Sequence, residues 1–233
     1  MRGEKNMTRE KDTTSVMAAN IPPIDRSSVV LKKSGISDEL RIERIIKKIT
    51  TRHPDVIFFL EEDQAIFPRI VDRLSQKYRF YYPQGFNRSW YAAVVVAVRR
   101  TANCQKTSDG TGIVSKSGKW RILDVNGITM LGVHFPQPND PTYADFSKKV
   151  VAVAEEGNAD LIIGDFNPRR GESIHLPNFQ SILPDRSTSL FGNQLDYIFV
   201  RNGRAFQNER IDDGCMTPRE ELFSDHAIIE VDL

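Results

Sequence analysis

At 233 residues, 39% of them hydrophobic and 27% charged, the chain carries enough apolar material for one sizeable α/β domain without covalent staples. A net charge of +1 removes overall attraction to a polyanion as a clue, so any nucleic-acid partner has to be argued from local charge. The two cysteines, Cys104 and Cys215, are too few and too far apart for a disulfide framework or a Cys-based metal site and read as free thiols. The longest apolar run, Tyr91 to Val98, is too short to span a bilayer.

The first stretch mixes Arg2, Glu4, Lys5, Arg9, Glu10, Lys11 and Asp12 with almost no apolar residues, the opposite of a signal peptide. A flexible tail over residues 1–13 is expected, ahead of one domain at 14–233, in a soluble cytoplasmic protein with no membrane anchor. Alternation predicts a strand at Ser15–Asn20. Ser37–Asp38–Glu39 opens a helix running to about Arg52, with Leu40, Ile42, Ile45, Ile46 and Ile49 as its apolar face. A strand at Asp55–Glu61, a helix over roughly Gln64–Gln76 and a strand at Ala92–Arg99 follow.

Between them, Tyr78, Arg79, Phe80, Tyr81, Tyr82, Phe86, Arg88, Trp90 and Tyr91 interleave aromatic and basic residues. They suit either a nucleic-acid backbone or an edge strand with a packed loop, and the second reading is favoured. Gly110–Thr111–Gly112 lacks the third glycine of a dinucleotide fingerprint and reads as loop. Trp120–Val125 and Ile128–His134 form a hairpin across Asn126–Gly127, a pair suited to a type I′ turn. A helix at Tyr143–Glu156 stops at Gly157, and strands follow at Asp160–Asp165, Asp196–Val200 and Ala227–Val231. With no repeat or low-complexity segment, the pattern predicts one fold of mixed sheets with helices outside.

Chemistry-bearing residues stand at the ends of the apolar runs. Gly164–Asp165–Phe166–Asn167 follows Leu161–Ile162–Ile163, Asp196 precedes Ile198–Phe199–Val200, and Ser224–Asp225–His226 precedes Ala227–Ile228–Ile229. Phosphodiester hydrolysis needs a cation against phosphoryl charge, a group to orient or deprotonate water, and a donor for the developing oxyanion; carboxylates, Asn and His supply these. Taken alone, Gly164–Asp165–Phe166–Asn167 reads as an ordinary strand-to-loop turn, and His53 and His175 read as surface residues.

In this order the motifs resemble the endonuclease/exonuclease/phosphatase superfamily, which includes DNase I-like nucleases, AP endonucleases, sphingomyelinases and inositol-polyphosphate phosphatases. The resemblance runs from about Ser15 to Leu233: Asn20 ending a first strand, Pro54–Asp55–Val56–Ile57–Phe58–Phe59–Leu60–Glu61, Gly132–Val133–His134, Gly164–Asp165–Phe166–Asn167, Leu195–Asp196–Tyr197 and Ser224–Asp225–His226. It implies a four-layer α/β/β/α sandwich, DNase I-like, with the site at one rim of two sheets. Glu61 is implied as the central ligand of Mg²⁺, with Mn²⁺ as a substitute, and strand alternation leaves the neighbouring Glu62 as the alternative. Asn20 and Asp225 are implied to fix the metal or its waters, and Asp165 and Asn167 to position water and bind a phosphate oxygen. His226 is implied to contact the phosphate, oriented by Asp196, while His134 serves the leaving group. Arg169 and Arg170, directly after the turn, are candidate substrate contacts or two solvated loop residues.

Leu60 stands where the family commonly has Gln, the catalytic Tyr of AP endonucleases has no counterpart, and the Cys-Asp-Arg form of the inositol phosphatases is replaced by Gln194–Leu195–Asp196–Tyr197. The function expected is Mg²⁺-dependent phosphodiester hydrolysis by a monomeric endonuclease with DNA as substrate. The alternatives are a hydrolase of a phospholipid or small phosphate ester, and a non-catalytic binding module of the same fold.

Overall fold

The structure, a computed structural model, describes residues 13–86, 93–109, 118–217 and 222–233. Arg88, Trp90, Tyr91, the Gly110–Thr111–Gly112 stretch and residues 1–12 of the expected tail lie outside the described residues.

In chain order the elements are β1 (Ser15–Asn20), α1 (Val29–Lys33), α2 (Asp38–Arg52), β2 (Val56–Leu60), α3 (Phe67–Leu74), β3 (Tyr78–Tyr81), β4 (Val95–Arg99) and β5 (Cys104–Asp109). They continue with β6 (Trp120–Val125), β7 (Ile128–His134), α4 (Tyr143–Glu156), β8 (Leu161–Asp165), β9 (Phe179–Ser181), β10 (Asp196–Arg201), β11 (Gln207–Asp212) and β12 (Ile228–Asp232). One sheet has the order β11-β12-β1-β2-β4-β3 and the other β5-β6-β7-β8-β10-β9. Each holds a parallel pair at its centre, β1 with β2 and β7 with β8, joined through α2 and α4 respectively; the other pairings are antiparallel. A parallel pair needs such a crossover, so the helices necessarily lie on the sheet faces.

Side-chain alternation separates the layers. Leu131, Val133, Ile162, Tyr197 and Phe199 pack with Phe146, Val150 and Val153 of α4, whereas Met130, Leu161, Ile163, Ile198 and Val200 join the core shared with the first sheet. The sheets meet closely at Gly132, where an added Cβ would lie 2.1 Å from Cδ1 of Phe58. On the far side of the first sheet, Ile42, Ile45 and Ile49 of α2 and Phe67, Ile70 and Leu74 of α3 complete the core. The result is the expected α/β/β/α sandwich.

The expected central strands are present with ends shifted by at most three residues, and the hairpin turn has both central residues at positive φ, 55° at Asn126 and 78° at Gly127, as a type I′ turn requires. The predicted face of α2 differs at one point: Leu40 is 42% exposed, and the buried position beside Ile42 belongs to Arg41 at 0%. In the described part of the aromatic segment Phe80 packs as the favoured reading expects, whereas Tyr82 lies beyond the strand and is exposed. β3 is an edge strand, with Phe80 stacked on Phe59 at 6.2 Å and the Tyr78 hydroxyl donating to Pro54 O at 2.9 Å. His53 and His175 are exposed, and Cys215 is fully buried. No helix among the described residues is long and apolar enough to cross a membrane.

Candidate active site

Register builds the centre of the site. His134 ends β7 opposite Asp165 of β8, and Asp165 in turn faces Asp196 of β10, so three polar residues form one row across the second sheet. They share the parity of Ile163 and Ile198, and therefore point toward the first sheet. There Asn20 ends β1 and its Nδ2 reaches Asp165 Oδ2 at 3.4 Å. Gly164 allows the row to form because a side chain there would strike Val133 O, 2.0 Å from an ideal Cβ, and its φ is 142°.

Glu61 follows β2 in the left-handed region, φ 55°, which breaks strand alternation and turns its carboxylate to within 3.4 Å of His134 Nε2. Glu62, the alternative that alternation allowed, is 0% exposed and does not line the cleft described below. His226 precedes β12 and places Nδ1 2.9 Å from Asp196 Oδ2. Thr188, itself buried, holds both sides of this pair: its hydroxyl accepts from the backbone of Leu195 and Asp196 at 2.9 Å each, and its carbonyl accepts from Ala227 N at 2.7 Å. Asn167, also at positive φ, donates its backbone N–H to Asp165 Oδ1 at 2.8 Å and its Nδ2 to Phe135 O at 3.0 Å.

The electrostatics follow from burying several acids together. Burial, then the Asp196 and Glu61 charges, push Asp165 up to about 8 against the lowering effect of His226. Burial likewise raises Glu61, with Asp225 and Asp196 adding to it and His226 and Lys119 opposing. Burial on its own would lower His226, but the Asp196 carboxylate, followed by Asp165 and Asp225, pushes it up to about 10. At neutral pH this imidazole is a cation with two donors.

Glu61, Asp165, Asn167, Asp225, His226, Arg169 and Arg170 line one cleft of about 610 Å³. Asn20, His134 and Asp196 do not line that cleft but are buried directly beside it, against Asp165, Glu61 and His226 respectively. A second cleft, of about 620 Å³, lies across the Pro168–Gly171 loop and shares Arg169 and Arg170 but none of the clustered acids. Arg79 belongs to the far edge strand and lines neither.

Two groupings suit a cation. Asp165, Asp196 and His226 each offer an atom within 4.8 Å of the others. Because His226 Nδ1 is already engaged by Asp196, an ion there would compete with that bond. The expected set has unmet acceptors instead: Asn20 Oδ1 and Asp225 Oδ1 are buried with no hydrogen-bond partner, while Asp225 Oδ2 accepts from Ser28 N at 2.6 Å. Buried oxygen acceptors beside the Glu61 carboxylate fit a hard divalent ion.

Over residues 30–226 the chain matches the Endonuclease/Exonuclease/phosphatase family, and it belongs to that family. The family's members are phosphoesterases that depend on divalent metal, and the chain has their phosphodiesterase fold. Among solved structures it is similar to Caenorhabditis elegans TDP2, with TM-score 0.69 and 16% identity, covering 95% of this chain and 74% of that one. The human Nocturnin catalytic domain with bound sulfate superposes at TM-score 0.67 and 17% identity, covering 94% and 93%. D. rerio TDP2 complexed with single-strand DNA product does so at TM-score 0.67 and 13% identity, covering 94% and 98%. No curated protein is similar enough in sequence to match.

Sequence reasoning missed several residues of the site. Arg26, from the short 3-10 helix Ile24–Arg26, and Gln137, Phe191 and Asn193, from loops, line the cleft where no periodicity marks them; Phe191 is 57% exposed. Lys119 accepts the His134 N–H on its carbonyl at 2.8 Å. Its ammonium, lowered by burial, is supported by the charges of Glu61, Asp165 and Glu62. Its place opposite His134 in the predicted hairpin was the available signal.

Proposed function

We propose that the protein is a Mg²⁺-dependent phosphodiester hydrolase acting on DNA, with Mn²⁺ able to substitute. The observation that carries the reading is the His226–Asp196 pair at 2.9 Å set against Asp165, at the mouth of a cleft that also presents Glu61, Asp225, Arg169 and Arg170. Glu61, Asn20 and Asp225 would hold the ion, which supplies positive charge against the phosphoryl oxygens. Asp165 in its ionised form, made a stronger base by burial, accepts the proton of the attacking water, and its bond from the Asn167 N–H fixes its direction. His226, kept charged by Asp196, donates to a phosphoryl oxygen as negative charge develops there. His134 serves the departing oxygen, and Arg169 and Arg170 contact flanking phosphates.

The DNA assignment draws on two supports: paired arginines on the ridge between two clefts, and the similarity to D. rerio TDP2 complexed with single-strand DNA product. It is tested by giving the purified protein with Mg²⁺ supercoiled plasmid, single-stranded and abasic oligonucleotides, sphingomyelin and inositol phosphates in parallel. Turnover of a DNA substrate is expected. Turnover of a lipid or inositol ester alone replaces DNA by a small ester, and turnover of none supports a binding module.

A further inference from the structure

Arg41 is 0% exposed, in the first turns of α2, and spends its guanidinium on three separate loops. Nη2 donates to Pro22 O at 2.5 Å, Nη1 to Asp63 Oδ2 at 2.6 Å, and Nε to Phe223 O at 2.8 Å. Each acceptor lies two residues along the chain from a residue of the proposed metal set: Pro22 from Asn20, Asp63 from Glu61, Phe223 from Asp225. The loops are also joined to one another, since Asp63 N donates to Ile21 O at 2.8 Å and the Ser224 hydroxyl to Asn20 O at 2.7 Å. Those three strand ends belong to one sheet, and Asp165 and Asp196 to the other, so the site forms only if the first sheet's ends are held in register with one another.

We propose that Arg41 is a positioning residue that sets Asn20, Glu61 and Asp225 as one unit for the divalent cation. The inference rests on the metal-dependent reading above. A planar guanidinium can serve three acceptors in fixed directions, whereas an ammonium is a point charge on a flexible stem. A buried arginine used only for packing would not need all of its acceptors on loops that carry the site.

The test compares Arg41→Lys with Ile49→Ala, a buried core change about two turns further along the same helix that lowers stability by cavity formation. Metal affinity is read by calorimetric titration with Mg²⁺ and Mn²⁺, and loop order by amide hydrogen exchange over residues 20–23, 61–64 and 222–226. Arg41→Lys is expected to weaken metal binding about tenfold, as the loss of an outer partner of a metal site does. Exchange should rise in all three loops together, and the substrate KM at saturating metal should stay unchanged. Ile49→Ala should leave affinity and loop exchange as in the wild type.

Equal effects of the two variants, or faster exchange in one loop alone, overturn the proposal. If Arg41→Lys fails to fold, Asp63→Asn carries the test, with weaker metal binding expected and unchanged binding overturning it. If the wild type binds neither ion, the metal-dependent reading and the cation part of this inference both fall. A positioning role for Arg41 then stands only on concerted exchange in the three loops.

Discussion

At one edge of the first sheet, Asp212 and Glu230 sit among Lys48, Arg52 and Arg210, whereas at the strand ends Glu61, Asp165, Asp196 and Asp225 share His226 and His134. Lys48 lies 2.7 Å from Asp212 and Arg210 3.1 Å from Glu230. Among the described residues no lysine or arginine forms an ion pair within 4.0 Å with any of the four rim acids. The charges act oppositely. Burial raises Glu230 even beside Arg210 and Arg52, but at Asp212 the Lys48 hydrogen bond and charge overcome burial and hold the carboxyl below the usual range, while Asp165 is pushed up to about 8. A carboxylate such as Asp212, whose charge a neighbouring ammonium meets, is a structural device; one such as Asp165, buried among other acids, weakens the fold and is suited to binding a cation and moving protons.

The largest expected effect lies at the rim. His226→Ala should lower kcat about 10³-fold, the scale of a positioned acid–base or oxyanion group, with Tm within a few degrees of the wild type. Steady-state kinetics with a melting curve check it, and unchanged turnover removes His226 from the chemistry. Glu61→Gln should raise the Mg²⁺ needed for half activity about tenfold or more, because a neutral amide is a poorer ligand for a hard dication. A normal titration would move that ligand to another residue. Replacing Arg169 and Arg170 together should raise KM for DNA, leave kcat unchanged and make the salt slope of binding shallower by about two. A slope identical to the wild type would return both arginines to the solvated surface.

The smallest effects test the comparison itself, in EDTA. The folded pKa of Asp165 is raised, so the folded state binds more protons than the unfolded chain between the ordinary carboxylate value and about 8, and stability falls as pH rises through that window. Asp165→Asn should abolish this fall and raise Tm at pH 8. Asp212 has a lowered folded value, so its contribution is present above the ordinary carboxylate value and lost as pH drops through the lower one. Asp212→Asn should therefore cost about 1 kcal/mol at pH 7, or about 2–4 °C in Tm, and nothing at low pH. Melting curves across pH decide both, and the same sign for the two variants would break the contrast.

Legibility in the sequence followed burial. The central strands stood out because both faces are covered, as in Val56–Leu60 and Leu161–Asp165, which leaves uninterrupted apolar runs. The polar edge strands did not: Gln207–Asp212 reads QNERID and Cys104–Asp109 reads CQKTSD, stretches whose pairing comes from a neighbouring strand, unlike the aromatic edge strand Tyr78–Tyr81. The motif residues were legible because they sit at the ends of those apolar runs. Glu61 was reached by motif register, since its left-handed backbone defeats alternation. Arg41 was hidden by its type: within an amphipathic helix an arginine reads as part of the solvated face, and its three acceptors are distant in sequence. Asn193 and Phe191 reach the cleft through loop paths, and Arg26 through a single 3-10 turn, that local pattern does not encode.

The most direct test of the account is single-turnover cleavage of a DNA phosphodiester by the wild type and His226→Ala across a Mg²⁺ titration. The account predicts cleavage that rises with Mg²⁺, vanishes in EDTA and falls about 10³-fold in the variant at saturating metal. Cleavage that persists in EDTA, or proceeds equally in both proteins, would contradict it.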